Sequence, residues 1–175
     1  GFEQAYNAQA AVDTGSLLVV ALGVTQACND KKQGVPMLEQ LATLPDSLGQ
    51  AKQLLADTGF YSARNAGACE ARGIDPFIAV TRDEHHPAPH ERFTEPAALA
   101  AEATPAQAMA HKLKTNAGRA LYALRKQTVE PVFGIIKSVL GFRQFSLRGL
   151  KKVTGEWTLV CLAWNLKRMA VVRLA

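Results

Sequence analysis

Residues 122–137 constrain this chain most, because a helical hydrophobic pattern there runs straight through a proline. At about 100° per residue, Val129, Phe133, Ile136 and Leu140 fall within an arc of about 60° and predict a buried stripe. Glu130 lies about 60–120° round from them, at the border of that stripe. Lys126 (i−4) and Lys137 (i+7) sit above and below it on the same line. A carboxylate held so, at the edge of a core-anchored helix and flanked by cations, has the makings of a metal ligand beside an anionic substrate. Pro131 removes a backbone donor and biases Glu130 away from the αR region. The helix is therefore either kinked there or starts there with Glu130 at its cap. Spacing alone favours the plainer reading, a surface Glu with lysine neighbours worth about a few tenths of a kcal/mol each.

Upstream, residues 6–13 and 17–25 read as two strands around Thr14-Gly-Ser16, a hairpin signal. Leu17 to Val24 is almost wholly apolar, which predicts a strand buried on both faces. Asn29 and Asp30 suggest a turn and helix cap, with Gln33 as capping-box partner, followed by a helix over Val35–Leu44. Lys52 to Asp57 is a short strand ending in an acid. Ser62 is a good N-cap for a helix over Ala63–Ala71 that Gly73 terminates. Residues 75–81 make a further strand. An acid at the carboxyl end of a strand, ahead of a Gly turn, is where open α/β sheets place ligand chemistry. The plain alternative is that Asp57 caps its turn through an Asx hydrogen bond.

At 175 residues, 48% hydrophobic and 20% charged, the chain has enough apolar material for one folded domain with a full core. No apolar run approaches the roughly 18 residues of a membrane span, and no secretory pattern opens the chain. It starts Gly1-Phe-Glu-Gln without an initiator Met, which suggests a fragment or a processed chain. Cys28, Cys69 and Cys161 are odd in number and far apart, so they read as reduced thiols. Charge is unevenly spread. From Lys112 to Arg173 there are 13 Lys and Arg against Glu130 and Glu156, a net +11, which leaves −6 for the rest of a chain whose total is +5. Nucleic acid is the commonest polyanion to meet such a segment.

The run Thr128-Val-Glu-Pro-Val-Phe-Gly-Ile-Ile-Lys137 closely resembles the glutamate-bearing signature of bacterial insertion-sequence transposases of the DDE class. Lys126, Glu130 and Lys137 match it, while Tyr122 and Arg125 stand one position from the commonest spacing. Leu55-Ala-Asp-Thr-Gly-Phe-Tyr-Ser62 is similar to the family's second catalytic motif, and Tyr6-Asn-Ala-Gln and Asn29-Asp-Lys to its neighbouring blocks. The resemblance implies an α/β fold, a ribonuclease-H-like mixed sheet with a helical C-terminal part. It implies Asp57 and Glu130 as catalytic carboxylates and ligands of two divalent ions, Mg²⁺ with Mn²⁺ as substitute. Lys126, Lys137 and Arg125 would meet DNA phosphates, which are the implied partner. Activity would be DNA cleavage and strand transfer in a bacterial cytoplasm, at the nucleoid, with a homodimer among the states open to the full-length protein.

The family's first Asp lies on a central strand upstream of the block that here begins at Tyr6, and Gly1 to Ala5 leave no room for it. Asp13 and Asp30 stand in the wrong positions to inherit the role, although either could lie near the site. The sheet is thus expected to be incomplete, with its first strand missing, and the chain alone inactive. Residues 1–175 then form a partial catalytic domain. Strands and two helices occupy 1–81, a loop and helical insertion 82–118, and the Glu helix and a basic C-terminal helix 119–175. In the insertion, His85, His86 and His90 flank Pro87 and Pro89 and lack helical spacing, which argues against a formed metal site, and the Ala-rich stretch Pro96–Ala110 reads as helix. The last helix, over Gly149–Leu174, is expected to bury Trp157, Val160, Cys161, Trp164 and Leu166, with Phe142 and Phe145 beside it. Arg143, Arg148, Lys151 and Lys152 near its start are the further candidates for phosphate contacts. A different class of protein, a non-catalytic DNA-binding derivative of a transposase, is the alternative.

Overall fold

The computed structural model describes residues 5–27, 29–81 and 94–172, and the chain is α/β. The histidine-containing loop, Cys28 and Arg173 lie outside the described residues. The chain divides into two compact units, one of Gly1–Cys28, Glu39–Pro45 and Lys126–Ala175, the other of Asn29–Leu38 and Asp46–Arg125.

In the first unit, β1 (Asn7–Val12) and β2 (Val19–Thr25) form the expected antiparallel hairpin, with an irregularity at Ala11/Val12. Asp13 ties its turn, accepting from the Ser16 amide at 2.7 Å and the Ser16 hydroxyl at 2.6 Å. Leu17 sits in the left-handed region, at φ 61°. The strand is not buried on both faces: in β2 only Val19 and Ala21 are buried, and their neighbours are half-exposed. Helix α5 (Leu150–Val172) packs against β2 and supplies its cover.

That helix reaches the hairpin's backbone with polar tips as well as apolar bodies. The indole N–H of Trp157 donates to Gln9 O at 2.9 Å and that of Trp164 to Leu17 O at 2.8 Å. Asn165 bonds both backbone groups of Val19, each at 2.8 Å, so this stretch of main chain is satisfied by a side chain. Buried Trp157, Cys161 and Trp164 share a core with Val19, Val132 and Ile136. Leu166 departs from expectation. It is 60% exposed, on an outer face with Leu159, Leu162 and Met169.

The Glu-bearing helix α4 (Asn116–Ser138) is continuous through Pro131 and contains Glu130 well inside it, so it does not start at that residue. Its buried line is Thr128, Val132 and Ile136, with Val129, Phe133 and Leu140 only half-buried. The stripe is therefore rotated from the expected one. Glu130 stands about 160° from the centre of the buried line rather than at its border.

The second unit is built on β3 (Gln53–Ala56) and β4 (Asp75–Ile78), parallel and linked through α2 (Ala63–Glu70). Ser62 caps α2 as expected, accepting from the Asn65 amide at 3.1 Å, and Gly73 ends the following turn at φ 70°. Helix α1 (Gly34–Leu41) begins after the Asp30–Gln33 turn, so Asp30 is not its N-cap, and it stops short of Leu44. The Ala-rich stretch is helical only from Pro105. Thr104 and Gln107 form a capping box that starts α3 (Pro105–Lys114) there. Gly118 is required at the α3–α4 junction, since a Cβ would lie 1.9 Å from Lys112 O. The four described strands thus make two separate two-stranded sheets, with no intact five-stranded sheet among the described residues.

The Asp13 carboxyl is held below its ordinary range by the Ser16 hydroxyl first, with the Ser16 and Gly15 amides assisting against partial burial. A depressed folded-state pKa gives stability that is present above the unfolded value and is lost as pH falls through the folded one. Hydrogen exchange at the Ser16 and Leu17 amides should therefore accelerate below about pH 4, and Asp13→Asn should remove that acid dependence. An unchanged exchange profile in Asp13→Asn would mean that the carboxylate does not hold the turn.

Candidate functional site

Asp57 directly follows β3, exposed, and its Oδ1 accepts from the Gly59 amide at 3.0 Å while capping the 3-10 turn Thr58–Phe60. The plain Asx reading is thus realised, and it orients the carboxylate at the strand's end. A second acid comes close. A Cβ at Gly59 would lie 3.1 Å from Asp57 Oδ1 and 3.2 Å from Asp30 Oδ2, so glycine is what lets both carboxylates approach that point. Asp30, which its position along the chain argued against, is brought here by the turn that precedes α1. Its only sequence signal is its place in the Asn29-Asp-Lys block. Asp13, by contrast, is engaged in the hairpin turn.

Two carboxylates are the hard oxygen donors that Mg²⁺ or Mn²⁺ takes, and such ions keep further positions for water and phosphate. Asp57 and Asp30 fit that donor chemistry as a pair. Among the described residues no group of three His, Cys, Asp or Glu side chains is placed to hold a metal ion. Glu130 belongs to the first unit, and Asp57 and Asp30 to the second. On α4, Glu130 is exposed, as are Lys126 and Lys137 to either side of it.

The remaining cations divide by what they touch. Arg125 is half-buried with its guanidinium 5.6 Å from the Tyr122 ring centre, a cation–π contact within the second unit. Lys112 bonds the Asp75 carboxylate and Pro76 O and lies 4.0 Å over the Phe77 ring, which commits it to packing. In the first unit Arg143, Arg148, Lys151 and Lys152 are exposed around the start of α5. The structure gathers Lys137, Arg143 and Arg148 on one cleft of about 860 Å³. Burial pushes the Cys69 and Cys161 thiols up to about 11 and about 12, so neither is a ready nucleophile. No helix among the described residues is long and apolar enough to cross a membrane.

Residues 92–170 match the protein family described as "Transposase DDE domain", a span that contains Glu130 and covers less than half of the 175-residue chain. That match supports a DDE transposase. Neither a curated protein nor a solved structure matches the chain.

Proposed function

We propose that this chain serves DNA transposition of the bacterial insertion-sequence type, in metal-dependent phosphodiester cleavage and strand transfer. The observation that carries the reading is the transposase DDE match over residues 92–170, inside which Glu130 projects exposed from α4. Asp57 and Glu130 are its carboxylates, with Asp30 beside the former. An antiparallel hairpin and a parallel strand pair, with Asp57 at the end of one of the latter strands, are compatible with a ribonuclease-H-like mixed sheet.

Bound Mg²⁺, or Mn²⁺ in its place, supplies Lewis-acid activation of a water or DNA 3′-hydroxyl and stabilisation of the leaving oxygen in an in-line displacement. The protein's own part is to orient and neutralise. Gly59 holds the Asp57 carboxylate in place through its amide. Lys126 and Lys137, on the exposed side of the Glu helix, neutralise phosphates, and Arg143, Arg148, Lys151 and Lys152 extend that surface. The work belongs in the cytoplasm, at the nucleoid, and a homodimer is the simplest assembly for joining two DNA ends. Arg125, stacked on Tyr122, is the weakest of the proposed phosphate contacts.

The exposed cations of the first unit also favour a second reading, a DNA-binding protein without catalysis. Plasmid nicking with Mg²⁺ or Mn²⁺, by the chain and by Glu130→Gln, separates the two. Nicking lost in the variant supports catalysis through Glu130. No nicking in either, with DNA retained at low salt, supports a transposase chain that is inactive alone and keeps its phosphate-binding surface. Failure to retain DNA at low salt defeats both.

A further inference from the structure

We propose that the cleft at the start of α5 binds single-stranded DNA, stacking one or two unpaired bases on its aromatic side chains. This rests on the DNA reading above and deepens it by naming which form of DNA this surface takes. The cleft lies wholly within the first unit and holds about 860 Å³. Pockets of about 300–1,000 Å³ enclose drug-sized ligands, which is the scale of one or two nucleotides.

Its lining joins two chemistries. Lys137, Arg143 and Arg148 border it, and no carboxylate among the described residues lines it. Tyr6, Phe142 and Phe145 form the aromatic part, and all three are half-buried. Phe145 meets Tyr6 at 6.0 Å and 78° and Phe142 at 5.3 Å and 78°, edge to face, so each pair covers no more than one ring face. Phe133 stacks on Trp157 at 5.5 Å and 27°, which uses a face within the protein, and Phe142 leans on the same indole at 6.1 Å and 35°. The amide of Gln144, also on the lining, adds hydrogen-bonding groups for base edges.

The cleft is also pinned in place before any ligand arrives. Glu156 accepts from the Ser146 amide at 2.8 Å and the Leu147 amide at 3.0 Å. Tyr6 Oη accepts from the Gly149 amide at 2.8 Å. Gly141 and Gly149 take φ values of 75° and 89°, which only glycine adopts readily, and so set the two ends of the loop. A preformed platform lowers the ordering cost of binding. In duplex DNA each base face is covered by its neighbours, so paired DNA can engage the cations but not the rings. Unpaired bases engage both, which is the design of single-strand binding surfaces.

The test uses the full chain in EDTA with a labelled thymidine hexanucleotide and an abasic oligomer of equal phosphate number, followed by fluorescence anisotropy. The thymidine oligomer should bind about tenfold tighter, the weight of one stacked base. Phe142→Leu should remove that preference, and Arg143→Gln with Arg148→Gln should weaken both oligomers alike. Equal affinity for the two oligomers would overturn the proposal, as would a preference that survives Phe142→Leu. A poly-glutamate peptide binding as tightly as the thymidine oligomer would overturn it too, by pointing to acidic protein partners. Should Phe142→Leu fail to fold, photocrosslinking of a 5-iododeoxyuridine oligomer to the parent decides. Attachment at Tyr6, Phe142 or Phe145 supports the cleft, and attachment elsewhere overturns it. Because no metal is present, this result is independent of whether the chain nicks DNA.

Discussion

Trp157→Ala lowers the stability of the first unit by about 3–5 kcal/mol, the range for deleting a large buried aromatic side chain. Trp157 is 2% exposed, is stacked on Phe133 at 5.5 Å, and gives its N–H to Gln9 O in β1. The substitution opens a cavity in the core shared by α4, α5 and β2 and leaves a strand carbonyl without that donor. Leu166→Ala, on the same helix but 60% exposed, should change stability by less than about 0.5 kcal/mol. Urea unfolding followed by the fluorescence of Trp164 measures both. Equal losses at the two positions would mean that the outer face of α5 is covered in solution. A loss below about 1 kcal/mol at Trp157 would contradict the core as described.

The second large effect is electrostatic. Replacing Arg143, Arg148, Lys151 and Lys152 together with Gln should flatten the salt dependence of duplex binding. Each phosphate contact contributes about 0.9 to the slope of log affinity against log salt. Four contacts then account for a fall of roughly 100-fold between about 50 and 200 mM salt, and the variant should lose that part of the dependence. All four side chains are exposed, so the unfolding midpoint should barely move. A variant that binds DNA with the parent's slope would show that the phosphate contacts lie elsewhere. Single substitutions should each remove about 0.9, which tells a shared surface from one dominant contact.

Local chemistry makes several elements legible in the residues alone. The hairpin around Thr14-Gly-Ser16, the Ser62 cap, the stop at Gly73 and the turns at Gly141 and Gly149 are decided within a few residues of chain. The two Trp residues are legible as core because seven positions, two helical turns, set them on one side of a helix. Pro131 is not legible in this way. A proline inside a helix costs about 3 kcal/mol, and local rules therefore allow a break or a start there. Burial of Val132 and Ile136 just beyond the proline offsets that cost, and only the fold supplies the surface they bury against.

The residue types that carry the chemistry, an acid after a strand, an acid on a cation-rich helix and a basic C-terminal third, follow from sequence alone, because side-chain identity needs no partner. Their surroundings do not. Helix α5 carries apolar residues nearly all round, so the spacing of its two Trp residues marks an inward line but not how far that face extends, and Leu166 falls outside it. The choice falls to Trp157 and Trp164, whose indoles reach carbonyls 148 and 147 residues away. The same holds on α4, where the buried line through Thr128 turns Glu130, Lys126 and Lys137 outward together. It holds again at Gly59, where folding sets Asp30 beside Asp57 although 26 residues separate them in the chain. Contacts between distant segments depend on how whole elements pack, and packing is settled by the tertiary structure.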